Sequence, residues 1–254
     1  MIAGERRPLG ESSDSWLAFG EEPQQPGAWA GRRLLSVRGK PAFELSFWCG
    51  TCQFISRRLE GANEGGSIED LQQLLTEGVS GVDEVVVERF GSILPADDYI
   101  PLLLSIQPRL VLPAQPGGYF AEEQVATWGV NSFWGLPEYP RTPYYRTFDT
   151  VMDAQSHLFE FVVPMVPPTW NERVRVAELT ERLAESSKPT AVAVSILDVC
   201  QPADSHGGDY YAHWALTHLL LDGHHKMEAA AASGRPLQLL SLLGRLCPGA
   251  DVLR

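Results

Sequence analysis

The chain has 254 residues, 44% of them hydrophobic and 20% charged, with a net charge of −12 at pH 7. This composition is ordinary for a globular protein and excludes general disorder. The acidic excess is spread along the chain, so it argues against nucleic acid as a partner while leaving room for a small anionic ligand at a local cationic patch. No apolar run approaches the ~20 residues needed to span a membrane. The first residues, MIAGERRPLGESSDS, lack the apolar core of a secretory signal, so a cytoplasmic protein without membrane association is expected. In that reducing compartment the four cysteines read as thiols, metal ligands or a redox pair rather than a disulfide framework.

Residues 1–31 are rich in Gly, Pro, Ser, Glu and Gln, with only Trp16, Leu17 and Phe19 as apolar anchors. A loosely ordered arm is expected there. Residues 32–150 are expected to form an α/β domain. Ala42 to Trp48 reads as a strand and runs into Cys49-Gly50-Thr51-Cys52, after which QFISRRLEGA reads as an amphipathic helix ended by Gly61. The segment FWCGTCQFI resembles the active-site segment of thioredoxin-like proteins, which have the same order of strand, Cys-x-x-Cys and helix. A cysteine at a helix start has a lowered pKa, and a partner three residues on can resolve a mixed disulfide. A zinc half-site completed by Cys200 or a histidine brought in by folding, and two packed or exposed thiols, are the competing readings of Cys49 and Cys52.

Ser67 to Thr76 is predicted as a helix opened by Ser67 and Asp70, Val82 to Phe90 as a strand, Pro95 to Leu104 as a helix, and Leu110 to Leu112 as a short buried strand. The alternation of element types predicts an α/β or α+β layer. Trp128 to Asp149 is strongly aromatic and is broken by Pro137, Pro140 and Pro143. It is read either as a connection pinned to the core by its rings or as a binding loop using Arg141 or Arg146.

A second domain is expected over residues 151–254. Phe159 to Val166 is predicted as a strand stopped by Pro167-Pro168, and Thr169 with Glu172 as a capping box for a helix over 172–187 that buries Val176, Leu179 and Leu183. Ala191 to Val199 is a second predicted strand, and Gly207 to Tyr211 a turn before the next. The apolar run Leu219 to Leu221 then stops at Asp222-Gly223, where Asp222 is the expected N-cap of a helix over 225–233. Gly234 and Pro236 stop that helix, and Leu237 to Leu243 forms a buried strand. Helix starts present unpaired N–H groups and a partial positive charge. Asp222, Gly223, His224, His225 and Lys226 are therefore candidate binding residues for a phosphate or another oxyanion, against the alternative of simple surface polarity.

The stretch DGHHKMEAAAASGRP, preceded by an apolar strand, resembles the signature of the ParB/sulfiredoxin-like superfamily, whose members hold nucleotide phosphates with a Gly-His motif at a helix start. The resemblance covers roughly the last hundred residues. It implies a C-terminal ParB/sulfiredoxin-like domain binding ATP or another nucleotide with magnesium. By similarity to the free-serine kinases within that group, it also implies phosphoryl transfer to a small hydroxyl acceptor, with His225 at the site and a carboxylate to align or deprotonate the acceptor; Glu160 in LFEFVVP and Asp198 in SILDV are the candidates, marked by no motif, against the alternative that both are satisfied structural acids. Sulfiredoxins place a catalytic cysteine where this chain has His224, which removes sulfinic acid reduction by that route. Two other functions compete. One is a thiol-disulfide or zinc protein using Cys49 and Cys52, with His213, His218, His224 and His225 as further ligand candidates; His213 and His218 are expected on opposite faces of one strand. The other is a non-catalytic partner protein in a biosynthetic pathway.

Overall fold

The computed structural model describes residues 1–10, 15–22, 32–45, 54, 56–66, 68–129, 135, 137–185, 188–200 and 211–244. Cys49, Cys52, Cys247, Ser67, Phe133, Trp134 and the expected turn at 207–210 lie outside the described residues. In chain order the elements are β1 (Ile2–Ala3), β2 (Arg7–Leu9), β3 (Leu17–Glu22), β4 (Arg32–Val37), β5 (Lys40–Glu44), β6 (Arg57–Arg58), α1 (Gln72–Glu77) and α2 (Glu84–Gly91). There follow β7 (Asp97–Ile106), β8 (Arg109–Val111), α3 (Glu123–Trp128), β9 (Tyr144–Asp153), β10 (Ser156–Pro164), α4 (Arg173–Ala184), β11 (Thr190–Cys200), β12 (Ala212–Asp222), α5 (His224–Ser233) and β13 (Leu237–Gly244).

The architecture is mixed α/β, of the α+β kind. A large sheet runs β1-β7-β13-β11-β12-β10-β9-β8, with β2 also on β7, and a separate antiparallel sheet runs β3-β4-β5-β6. Within the large sheet β10 pairs with β12 and β11 with β13 in parallel, and the other pairs are antiparallel. The expected boundary near residue 150 falls inside β9, and strands from both sides of it share this one sheet. Strand periodicity assigns the side chains to faces. Val162, Ala191, Ala193, Leu220 and Leu239 pack under α4 and α5. Val163, Val192, Val194, Leu219 and Leu240 pack under the small sheet and α1 and α2.

Several elements differ from expectation. Val82 to Phe90 contains a helix rather than a strand: Asp83 Oδ1 caps it by accepting from the Val86 N–H at 3.1 Å, and Val86, Val87 and Phe90 fall on one buried face. Pro95 to Leu104 contributes a strand rather than a helix. Its backbone is claimed on one side by β13 and on the other by β1 and β2, a tertiary ladder that overrides local pattern. Downstream of the Cys-x-x-Cys, Arg57 and Arg58 pair with Glu44 and Phe43, and a 3-10 turn spans Glu60–Glu64; these residues do not form the helix that the thioredoxin-like order requires. Only Val111 is buried in β8, while Leu110 and Leu112 are exposed. Parts of the expected arm are ordered as β1, β2 and β3, with Leu17 buried against the core.

The second half follows the expected order of elements, with changed caps. Thr169 sits in a 3-10 turn over Pro168–Trp170. Glu172 is the N-cap of α4 and makes no side-chain cap bond. Asp222 is the last residue of β12, and Gly223 is the N-cap of α5. Gly223 has φ +92°, and a Cβ there would lie 2.7 Å from Ala191 Cβ, so only glycine lets the strand turn this closely against β11. The buried residues of α4 are the expected Val176, Leu179 and Leu183.

Candidate functional site

Strands β10 and β12 are parallel neighbours, and each leads into a helix on the same face of the sheet. Adjacent parallel strands that end together leave a crevice beyond their carboxyl ends, where two helix starts converge. A cavity of about 780 Å³ occupies this place. Its floor is Leu221 to Lys226. One wall is α4, through Arg175, Glu178, Leu179 and Arg182. The other is the α1 region, through Glu69, Gln72 and Thr76, and Met165, Trp170 and Asn171 form the rim.

The five motif residues are brought together here with distinct local roles. The first backbone bond of α5 runs from the Met227 N–H to the Gly223 carbonyl, so the amides of His224, His225 and Lys226 precede the helical ladder. His224 Nε2 is closed off from solvent and meets no hydrogen-bond partner among the described residues. Burial pulls its pKa down to about 4, against the opposing charge of Asp222. His225 Nε2 accepts from the Glu172 N–H at 3.1 Å, so this imidazole, rather than Thr169, satisfies the opening amide of α4. Burial, and then the charge of Arg175, lower its pKa. Both imidazoles are therefore neutral at pH 7. Lys226 is buried and turns inward: its Nζ donates to the Thr190 carbonyl at 2.9 Å and to Asp222 Oδ2 at 3.3 Å, and burial lowers its pKa. The Asp222–Lys226 pair thus fixes the strand-to-helix junction.

Sequence reasoning missed the walls. Gln72 Nε2 donates to Asp222 Oδ1 at 3.0 Å, and Gln72 Oε1 accepts from Arg175 at 3.0 Å, so one amide ties α1 to both β12 and α4. Asn171 Nδ2 donates to Glu228 at 2.7 Å and to the His224 carbonyl at 3.3 Å, and Arg173 pairs with the same Glu228. The available signal was the pair of strand-to-helix transitions at Pro167-Pro168 and Asp222-Gly223, which implies a second helix start beside the motif.

The two carboxylates chosen from sequence lie elsewhere. Glu160 stands opposite Leu216 and Asp198 opposite Ala215, six and seven residues before Asp222 on β12, so each is roughly 20 Å from the helix start at ~3.3 Å per residue. Asp198 pairs with Arg33 at 2.9 Å, both nearly buried. Glu160 belongs to a polar chain across the sheet: Ser241 Oγ donates to Ser195 Oγ at 2.8 Å, Ser195 Oγ lies 2.6 Å from His218 Nδ1, His218 Nε2 lies 3.4 Å from Glu160, and Thr147 donates to Glu160. Burial pushes the Glu160 carboxyl up, but His218 and Thr147 outweigh it and hold the group below the usual range.

His213 lies on the opposite face from His218, as strand periodicity requires. Its ring sits among Tyr119, Trp128 and Phe159, with Nδ1 2.8 Å from the Tyr119 hydroxyl, and burial lowers its pKa to about 4. It stands in register with the buried Cys200, in the cluster where Phe54 packs. Among the described residues no group of three or more His, Cys, Asp or Glu is placed to hold a metal ion. None of the described helices is long and apolar enough to cross a membrane. Comparison with protein-family profiles, curated proteins and solved structures finds no match to this chain.

Proposed function

We propose that the cleft at the start of α5 binds a nucleotide or another phosphate-type anion. One observation carries the reading: the buried Nε2 of His224 has no hydrogen-bond partner among the described residues, and His224 lines a cavity of about 780 Å³ at a helix N-terminus. A buried polar nitrogen left unpaired is costly, and a ligand oxygen would satisfy it. The unladdered amides of His224 to Lys226 add donors, and Arg175 and Arg182 on α4 add fixed positive charge. A ParB/sulfiredoxin-like arrangement of the C-terminal elements fits this reading, supported by the element order β10-α4-β11-β12-α5-β13 and by the motif lining the cavity.

Phosphoryl transfer to a small acceptor would draw its carboxylate from Glu69, Glu172, Glu178 or Asp222, which line the cleft, and not from Glu160 or Asp198. Magnesium, usually held through one or two carboxylates plus phosphate oxygens, fits this acidic rim only in company with a phosphate. Isothermal titration of the whole protein with ATP, ADP and tripolyphosphate tests the reading. Saturable binding that is lost in His224→Ala and Arg175→Ala is expected, and absence of binding to all three anions overturns it. Binding without turnover would place the protein as a non-catalytic partner in a pathway.

A second reading, as a zinc or thiol-disulfide protein, is favoured by the register pair Cys200–His213 in the cluster containing Phe54, which follows Cys52 by two residues in sequence. Elemental analysis with thiol titration decides it. One zinc per chain, lost on Cys200→Ser, or a cycling Cys49–Cys52 couple supports it, and two non-cycling thiols without zinc remove it.

A further inference from the structure

We infer that Trp170 selects the ligand of this cleft, so that the anion carries a flat ring; the inference rests on the anion reading above. Trp170 closes the 3-10 turn between β10 and α4, where the paired prolines fix the chain, and the residue is 59% exposed although it lines the cavity. A large aromatic side chain left this open beside a cavity is an anchor without its partner. One face of the ring is taken: the Arg58 guanidinium lies 5.2 Å from the ring centroid and is itself held by the Met165 carbonyl at 2.7 Å. Trp170 lines the cleft, whereas Arg58 does not.

Val174, the second residue of α4, is 73% exposed and lines the cavity, and Met165 adds a further apolar lining residue. The cleft is therefore asymmetric. Polar donors converge at the α5 start, and an apolar shelf capped by an indole stands at the α4 start. A cavity of about 780 Å³ is in the range that takes drug-sized ligands and is far larger than one phosphate needs. The complementary ligand has a phosphate group at one end and a planar heterocycle at the other.

The test compares ATP with tripolyphosphate on the wild type, Trp170→Ala and Trp170→Phe. Stacking of one base is worth about 1–3 kcal/mol, or roughly a 5- to 150-fold change in affinity. Trp170→Ala is expected to weaken ATP by that factor and leave tripolyphosphate unchanged, Trp170→Phe is expected to retain most of the ATP affinity, and ATP is expected to quench the fluorescence of the wild type but not of the alanine variant. Equal affinity of the wild type for ATP and tripolyphosphate, or ATP binding indifferent to Trp170→Ala, overturns the inference and leaves the anion reading standing. No binding of either ligand overturns both.

Discussion

His218 and His224 lie six residues apart on one strand-turn-helix unit, and they show opposite uses of a sequestered imidazole. His218 is fully buried, and each of its ring nitrogens faces a partner, in a chain that runs from Ser241 through Ser195 to Glu160 and Thr147. His224 has an orphaned Nε2 and a cavity beside it. A closed polar network specifies how strands register and needs nothing from outside. An open one at a cavity is a request for a ligand. The serine-histidine-glutamate order of the first resembles a nucleophilic relay, yet Ser195 is sealed within the sheet and lines neither described cavity.

The largest expected effect comes from breaking the junction that makes the second histidine open. Gly223→Val forces a branched side chain into a φ of +92° and onto Ala191. Strain and overpacking together are expected to cost roughly 2–6 kcal/mol, read as a lowered urea midpoint, and nucleotide binding is expected to vanish with it.

Next comes a double dissociation. His218→Ala removes one partner each from Glu160 and Ser195 in a buried network and is expected to cost about 2–4 kcal/mol while leaving the affinity of the refolded protein for ATP within twofold. His224→Ala is expected to do the reverse, changing stability by less than about 1 kcal/mol, because its Nε2 meets no hydrogen-bond partner among the described residues, and abolishing ligand-induced thermal stabilisation. Equal behaviour of the two variants would erase the distinction between them.

The smallest effect per measured step is that of pH. The folded-state pKa values of His213 and His224 are about 4, below the unfolded value of about 6.5. Between these values the unfolded chain binds more protons, so this contribution to stability is complete above pH 6.5 and is lost as pH falls towards 4, by at most about 1.4 kcal/mol per pH unit for each histidine. Urea melts at half-unit steps read this slope. A saturating anion that favours protonated His224 is expected to flatten it, and His224→Ala is expected to remove that flattening.

Much of the second half was legible because its signals are local. An apolar run, an Asp-Gly turn, four alanines and a Gly-x-Pro stop determine α5 and β13 almost residue by residue and the end of β12, and Val176, Leu179 and Leu183 mark the buried face of α4. The first half misled where tertiary pairing decides. Three valines suit a strand, yet Asp83 caps them into α2, and Asp97-Asp98-Tyr99 looks helical until β2 and β13 pair alongside. Asp222 had the right residue type for an N-cap but was claimed by Lys226 and Gln72. The motif located the floor of the site; its walls required knowing that α1 and α4 meet at one strand end, a contact between residues about a hundred positions apart in the sequence.

That meeting point has a mechanical consequence. Gln72 comes from the layer beneath the sheet and Arg175 from the layer above it, and they touch across the sheet's rim. An occupant of the cleft would act as a rivet through both layers. Slowed hydrogen exchange should then appear in α1 and α4 together, although the two helices share no core.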